Sequence, residues 1–384
     1  MERATELYLL EELLGLHSAQ SAYLDDTIFE NPVSRYNDPA HFQQEQAQVF
    51  RRFPQLTVHA SELPDAGSFL RKEIAGLPVL LTRDRDGKVH AFLNVCRHRG
   101  ARLVEDEKGC RNAFSCPYHA WTFSNQGDLR GIPHEKQGFP GVDKSKMGLI
   151  RLPAAERLGW IWVLPDPNGT MHIDAFVAPL VEDFGWLDTA KMKIAVSDTL
   201  TVDANWKLLI EGGIEAYHFK VTHKHTIGPH FLDNLSSYRM LGKHMRSVLP
   251  RAHLADLQDM PREDWDIRRD ANVLYCVFPL SQLLVMQDHI AWIHATPLNE
   301  GQTELRLSTV VPASSNLEDS EQAEHWKRNH AITKVTLSED FEVNAGAQAG
   351  LGAGANRHVT FGRFEGALAA FNQTVMAAME EEQA

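Results

Sequence analysis

Cys96-Arg97-His98-Arg99-Gly100 and Cys116-Pro117-Tyr118-His119-Ala120-Trp121 are the two stretches on which the reading of this chain turns. Seventeen residues separate His98 from Cys116, and each stretch supplies one Cys and one His. Two thiolates and two imidazoles can hold a [2Fe–2S] cluster in which histidines replace two cysteines on one iron, raising its potential. The bland alternative is structural zinc, which accepts the same four donors. Zinc knuckles and fingers usually open with two cysteines as CxxC, whereas here each short motif is mixed, and that pairing suits two irons of different ligation. Gly100 and Pro117 permit the tight turns such loops need. The expected ligands are Cys96, His98, Cys116 and His119, and the expected chemistry is the movement of single electrons.

Outward from these loops, 384 residues suggest two domains of about 100 to 200 residues each, whereas a simple electron carrier would need only the first third. The chain is 43% hydrophobic and 23% charged, enough to form a sizeable core. Its net charge of −13 argues against a nucleic-acid binder, which needs a clustered cationic surface. Leu7, Leu10, Leu13 and Leu14 fall at helical spacing within Met1 to Leu16. That stretch has no cationic leader followed by a long apolar run, so it reads as an amphipathic helix and not as a signal peptide. No apolar stretch approaches the roughly 20 residues that span a bilayer, so no membrane role and a cytoplasmic location are expected. Four cysteines do not make a disulfide scaffold, and Cys110 and Cys276 read as inert loop or core residues.

The polar stretch Asp25 to Gln48 contains Asn31-Pro32 and Asp38-Pro39, which suggest helix starts and bends. Pro78 to Thr82, the turn Asp86-Gly87, and Val89 to Val95 read as a hairpin running into the first ligand loop. Gly159 to Leu164 reads as a last strand, closed by Pro165-Asp166-Pro167-Asn168-Gly169. The expected division is a helical segment over 1–55, a small antiparallel β domain over 56–165, and a second domain over 166–384 on which the first segment packs. In that second domain Leu283 to Met286, Ala291 to Thr296 and Glu304 to Val311 read as strands, with a turn at Asn299-Glu300-Gly301. Antiparallel strands backed by helices make the chain α+β. The Gly/Ala-rich stretch Gly346 to Ala355 reads as a loop or a close-packed helix entry.

A second site is offered between Asn205 and His223, where Glu215, His218 and His223 fall within nine residues. Two histidines and a distant carboxylate form the facial triad of mononuclear non-heme iron, which leaves positions open for dioxygen and substrate. Glu215 and His218 share a helix face, but His218 and His223 would stand about 140° apart on an ideal helix. The helix must therefore end or deform between them, and the β-branched Val221 and Thr222 favour such a break. His225 and His230 compete as ligands on residue type alone, and by spacing Glu339, Asp340 and Glu342 are equal candidates for the carboxylate.

Taken together, these stretches resemble the Rieske oxygenase alpha subunits. Both cluster loops match, down to the Arg after each first-loop ligand and the Trp after the second loop. Asn205-Trp206-Lys207, Glu211, Glu215, Tyr217-His218 and His223 are similar to the family's catalytic stretch. Ser338-Glu339-Asp340-Phe341-Glu342, followed by Gln348-Ala349-Gly350-Leu351, resembles the segment whose Asp after Glu binds iron, which favours Asp340. The resemblance implies a Rieske domain and a helix-grip (START-like) catalytic domain with an antiparallel sheet. It implies a [2Fe–2S] cluster, Fe(II), and electrons from NAD(P)H through a ferredoxin or flavin reductase component. It also implies a homotrimer, or a hetero-hexamer with a beta subunit, in which Glu215 joins His119 of one chain to His218 of its neighbour. The chain departs from the common pattern at Glu215, where most relatives carry Asp, and at Gly212, where many carry Asn. Glu at the bridging position is similar to the branch containing carnitine monooxygenase.

The expected activity is hydroxylation or oxidative demethylation of a small organic substrate with O2, the substrate being a quaternary ammonium or an aromatic compound. The rival readings are a Rieske electron carrier without oxygenase activity and a zinc-binding interaction module. An apolar pocket is expected from residues between Phe231 and Trp292, where single apolar side chains such as Phe278, Leu283, Met286 and Trp292 are more often core than pocket. A quaternary ammonium headgroup would favour an aromatic lining.

Overall fold

Thr82 and Val89 are joined by a turn whose geometry the sequence supplies. The Asp84 carboxylate accepts from the Asp86 and Lys88 amides at 3.0 and 2.9 Å, and Gly87 takes a positive φ of 77°. In the computed structural model, which describes residues 1–381, this hairpin is the centre of a unit spanning Phe50–Phe176. Its five-stranded antiparallel sheet runs Arg151–Leu152, Val89–Leu93, Leu77–Arg83, Ser68–Ile74, Lys108–Cys110. A three-stranded sheet, Ala113–Ser115, Thr122–Ser124 and Leu129–Gly131, carries the second ligand loop between its first two strands. Another pairs Gln55–His59, Trp160–Val163 and Ala154–Arg157. The unit ends at Phe176 and not at the expected Pro165. The reason is packing: the short helix Ile173–Val177 sets Phe176 against Trp162 and Phe53, and Asp174 pairs with Arg157 at 2.6 Å.

The other unit joins Met1–Val49 to the chain from Val177 onward. Its seven-stranded antiparallel sheet runs Met192–Val202, Gln302–Pro312, Ile290–Asn299, Ser281–Val285, Ala271–Val277, His244–Pro250, Ser237–Leu241. The 33-residue helix Ser320–Gly352, capped by Asp319 on the Glu321 and Gln322 amides, lies over one face in a helix-grip arrangement. Gly346 to Gly352 form the last turns of this helix, so this stretch is neither a loop nor a helix entry. Tertiary burial overrides the helix cost of glycine here, since the Leu351 side chain is buried. The first helix, Arg3–Ser18, buries Leu9, Leu10 and Leu13 in place of the expected Leu7, Leu10, Leu13, Leu14 stripe, and its Glu6 accepts from the Ile267 amide at 2.9 Å.

A buried polar network ties this unit together around the helix Trp206–Gly213. Lys207 Nζ donates to Glu45 at 2.5 Å, and Trp206 Nε1 donates to the same carboxylate at 2.9 Å. Burial alone would raise the Glu45 pKa, but Lys207, His41 and Trp206 outweigh it and hold the group ionised. One turn on, Glu211 accepts from Tyr36 at 2.8 Å and Asn372 at 2.7 Å. Buried polar groups are tolerated only when satisfied in this way. Among the described residues no helix is long and apolar enough to cross a membrane.

Candidate metal centres

The two Cys-containing loops are built on one backbone pattern. In the first, Gly100 N donates to Cys96 O at 3.0 Å and Cys96 N to Ala101 O at 2.8 Å. In the second, Ala120 N donates to Cys116 O at 2.9 Å and Cys116 N to Trp121 O at 2.8 Å. The fifth residue of each loop is left-handed, Gly100 at φ 75° and Ala120 at φ 54°. Both thiols are buried in a core with Trp121, Phe123, Phe69 and Phe92. Burial raises the Cys96 pKa and the adjacent Cys116 adds to this, while the His98 and Arg99 amides oppose it.

The imidazoles meet at the rim of this core. The His98 and His119 rings are 4.7 Å apart, and His98 stacks on Trp121 at 5.0 Å, tilted by 4°. His98 Nδ1 is buried with no hydrogen-bond partner, a lone pair or N–H that the protein alone leaves unsatisfied. Two adjacent buried thiols, two converging imidazoles and an orphaned ring nitrogen fit a [2Fe–2S] cluster with mixed ligation. Of the other cysteines, Cys110 is exposed on an edge strand, and the Cys276 thiol is pushed up to about 12 by burial in the sheet.

The second centre lies where the helix Trp206–Gly213 stops. The chain bends through Ile214 to Tyr217 and resumes as the four-residue helix Phe219–Thr222, with His218 and His223 at its two ends. Glu215 and His218 therefore share a turn and not the expected helix face: Glu215 accepts from the Tyr217 and His218 amides, and its other oxygen meets His218 Nδ1. This is how two histidines five residues apart face one point. Their Nε2 atoms are 3.2 Å apart, and Asp340 Oδ1 lies 3.3 Å from His218 Nε2 and 3.0 Å from His223 Nε2. One ligand atom from each of the three falls within 4.8 Å of the others, the arrangement a metal ion needs.

Each imidazole is oriented from behind. His218 Nδ1 is held by Glu215, and His223 Nδ1 by Glu339 at 2.7 Å, whose Oε2 also accepts from Thr226 Oγ1 at 2.6 Å. A carboxylate on Nδ1 leaves Nε2 for the metal and raises its basicity. Burial by itself lowers the His218 pKa, but the Asp340 and Glu215 carboxylates outweigh it and push it up to about 9. The same field favours a bound cation. The residues fit mononuclear Fe(II), with Glu339 supporting a ligand and not serving as one. His225 and His230 are exposed and stand outside the cluster, as does Glu342. The role of Glu339 and Thr226 was invisible in the sequence, where nothing marks which carboxylate meets Nδ1.

Beside the triad is a partly open cavity of about 80 Å³ between the long helix and the sheet. Leu274, Gln282, Leu284 and Ile293 line it. Phe278, Leu283, Met286 and Trp292 do not, because strand side chains alternate faces and Leu283 and Trp292 pair on the opposite one. A Cβ at Gly213 would come within 2.8 Å of the Gln282 amide, so a larger residue there must displace that side chain from its bond to Ile210 O.

Comparison with known proteins places both units in described families. The ring hydroxylating alpha subunit (catalytic domain) family matches residues 189–381, and the Rieske [2Fe-2S] domain family matches residues 53–153. The chain is 31% identical over 195 residues to the carnitine monooxygenase oxygenase subunit of Escherichia coli (strain K12), covering 50% of this chain and 51% of that one. It is 35% identical over 198 residues to the glycine betaine monooxygenase oxygenase subunit of Pseudomonas aeruginosa (strain UCBPP-PA14), covering 52% and 46%. The chain thus spans about half the length of the curated relatives it matches. The crystal structure of the quaternary ammonium Rieske monooxygenase CntA superposes with a TM-score of 0.77 at 21% identity, covering 91% of this chain and 95% of that one. Naphthalene 1,2-dioxygenase from Rhodococcus sp. gives 0.77 at 18% identity, covering 98% and 99%. Both share the fold.

Proposed function

This chain belongs to the ring hydroxylating alpha subunit family, and from that premise we propose that it is the terminal oxygenase component of a Rieske non-heme iron system. The observation that carries this reading is the convergence of His218 Nε2, His223 Nε2 and Asp340 Oδ1, with both Nδ1 atoms held by carboxylates. Cys96, His98, Cys116 and His119 would hold the cluster, and His218, His223 and Asp340 the iron. Together these groups supply electron relay and dioxygen activation. The net reaction takes up O2, two electrons and two protons, placing one oxygen atom in a C–H bond of the substrate and one in water. A dioxygenase outcome places both atoms in the product.

The protein's own part is orientation and exclusion of water. Glu215 and Glu339 fix the two imidazoles, and the apolar wall keeps the substrate end of the cavity dry. Glu215 is also the group proposed to couple His218 to a cluster histidine, the position of His119, of a neighbouring chain in a homotrimer or a hetero-hexamer. The Glu215 carboxylate on His218 Nδ1 and the exposed ring of His119 support that role. A ferredoxin or flavin reductase drawing on NAD(P)H is the proposed donor, which assigns the protein to the cytoplasm. The substrate is a quaternary ammonium or aromatic compound, the classes named for its relatives.

Iron analysis and supply of electrons with a substrate panel test this reading. The expected result is roughly three irons per chain and a product carrying oxygen from ¹⁸O2. A colourless protein with stoichiometric zinc, or a cluster protein without a further iron, sinks it.

A further inference from the structure

The triad borders two spaces of opposite character. His223 and Asp340 face the partly open cavity, whose wall holds no titratable group beyond those two among the described residues. Asp340 and His218 also line a second hollow of about 180 Å³, open to the surface, together with Glu211, Glu215, Thr222 and Asn344. Gly212 lines both spaces, so no side chain divides them there. A Cβ at Gly212 would meet Asn344 Nδ2 at 3.5 Å, and the Asn344 amide makes no hydrogen bond among the described residues. The hollow has room for several waters and offers them carboxylate, amide, hydroxyl and imidazole partners, which makes it a wet space.

Glu211 is bonded in the pattern of a neutral acid. Tyr36 Oη and Asn372 Nδ2 both donate to its Oε1, at 2.8 and 2.7 Å, as donors do to a carbonyl, and Oε2 accepts nothing among the described residues. An O–H on Oε2 is therefore free to donate. The surroundings favour that form. Burial raises the Glu211 pKa and Glu365 adds to this; Asn372, Tyr36 and Lys207 oppose it without reversing the shift. Lys207 cannot do more, because its ammonium is held by Glu45 at 2.5 Å.

We propose that this hollow is the route by which protons reach the iron centre, with Glu211 as the positioned acid that releases them. The inference rests on the oxygenase reading, whose net reaction consumes two protons with each O2 and two electrons. The apolar cavity has nothing to supply them. Glu211 gives its proton to a water in the hollow, that water passes one of its own toward the triad, and the carboxylate left behind takes a proton from solvent at the open side. Two such passages account for both protons. Separate spaces for substrate and protons keep the substrate end dry.

Infrared spectra of the oxidised holoenzyme in H2O and D2O test the acid directly. The carbonyl band of a neutral carboxylic acid should persist at about pH 6, where ordinary carboxyl groups are ionised. It should shift in D2O and vanish in Glu211→Gln, whose amide oxygen can still accept from Tyr36 and Asn372. Turnover tests the route. With a substrate that the wild type oxygenates, Glu211→Gln should form product about 10²-fold more slowly, the loss typical of removing a general acid, with iron content, cluster spectrum and substrate affinity unchanged. The wild-type rate should fall as pH rises through the raised Glu211 pKa, and Glu211→Gln should lack that limb. Asn344→Leu leaves the Glu211 bonds in place, so it should keep the infrared band and still lose rate, with a larger solvent isotope effect. Product formation by a wild type without the band overturns this inference alone, as does normal turnover in either variant. A wild type that shows the band and oxygenates nothing sinks the oxygenase reading, and this inference with it.

Discussion

The two metal centres are assembled in opposite ways. The cluster loops close on themselves: each five-residue turn makes its own backbone bonds and places its Cys and His two or three residues apart. The triad is closed by tertiary structure, because His218 and His223 flank one short helix while Asp340 arrives on the long helix from far along the chain. Local closure protects a site from changes elsewhere in the fold, whereas distant closure makes a site depend on the packing that holds its elements together. Removing a donor from one centre should therefore leave the other intact.

The largest effect tests that independence from the cluster side. Cys96→Ser should abolish the visible charge-transfer absorption and the reduced-state EPR signal while mononuclear iron remains bound. Loss of both metals with the fold retained would break the comparison. The converse variant, Asp340→Ala, should lower iron from roughly three to roughly two per chain and end oxygenation, with the cluster spectrum unchanged. A spectrum altered in parallel would show that the centres are not separately built.

A smaller effect is expected where a residue only orients a ligand. Glu339→Gln removes the carboxylate from His223 Nδ1, and iron affinity should fall about 10- to 100-fold with the cluster unaffected. Competition with a chelator measures this, and complete loss of iron would make Glu339 a ligand. The smallest effect sharpens the account of the loops themselves. Gly100 and Ala120 occupy equivalent left-handed positions, and a Cβ at Gly100 would meet nothing within 4 Å. Gly100→Ala should cost about 1 to 2 kcal/mol, and Ala120→Gly should return a similar or smaller amount, in denaturation of the holoprotein. Shifts in the same direction for both variants would show that the loops are not equivalent.

Much of this molecule was legible because its signals are local. The hairpin from Leu77 to Leu93 is written in two short apolar runs joined by a Gly-containing turn, and several antiparallel strands of the C-terminal half follow the same logic. Within each loop the proposed cluster donors could be paired in the sequence because only two or three residues separate Cys from His. The donors at residues 218 and 223 carried a conflict with helix geometry, and the structure resolves it by ending one helix and starting another.

Sequence alone determined most of the strands and the types of donor on offer, whereas the cavity draws most of its lining from outside the expected stretch between Phe231 and Trp292. Which strand face lines that cavity was decided by tertiary structure, since Leu283 and Leu284 are equally apolar and only sheet register assigns one to each side. Tertiary structure also separated Glu339 from Asp340. Neighbouring helix positions point about 100° apart, so packing against the sheet turns Asp340 toward both Nε2 atoms and leaves Glu339 on His223 Nδ1.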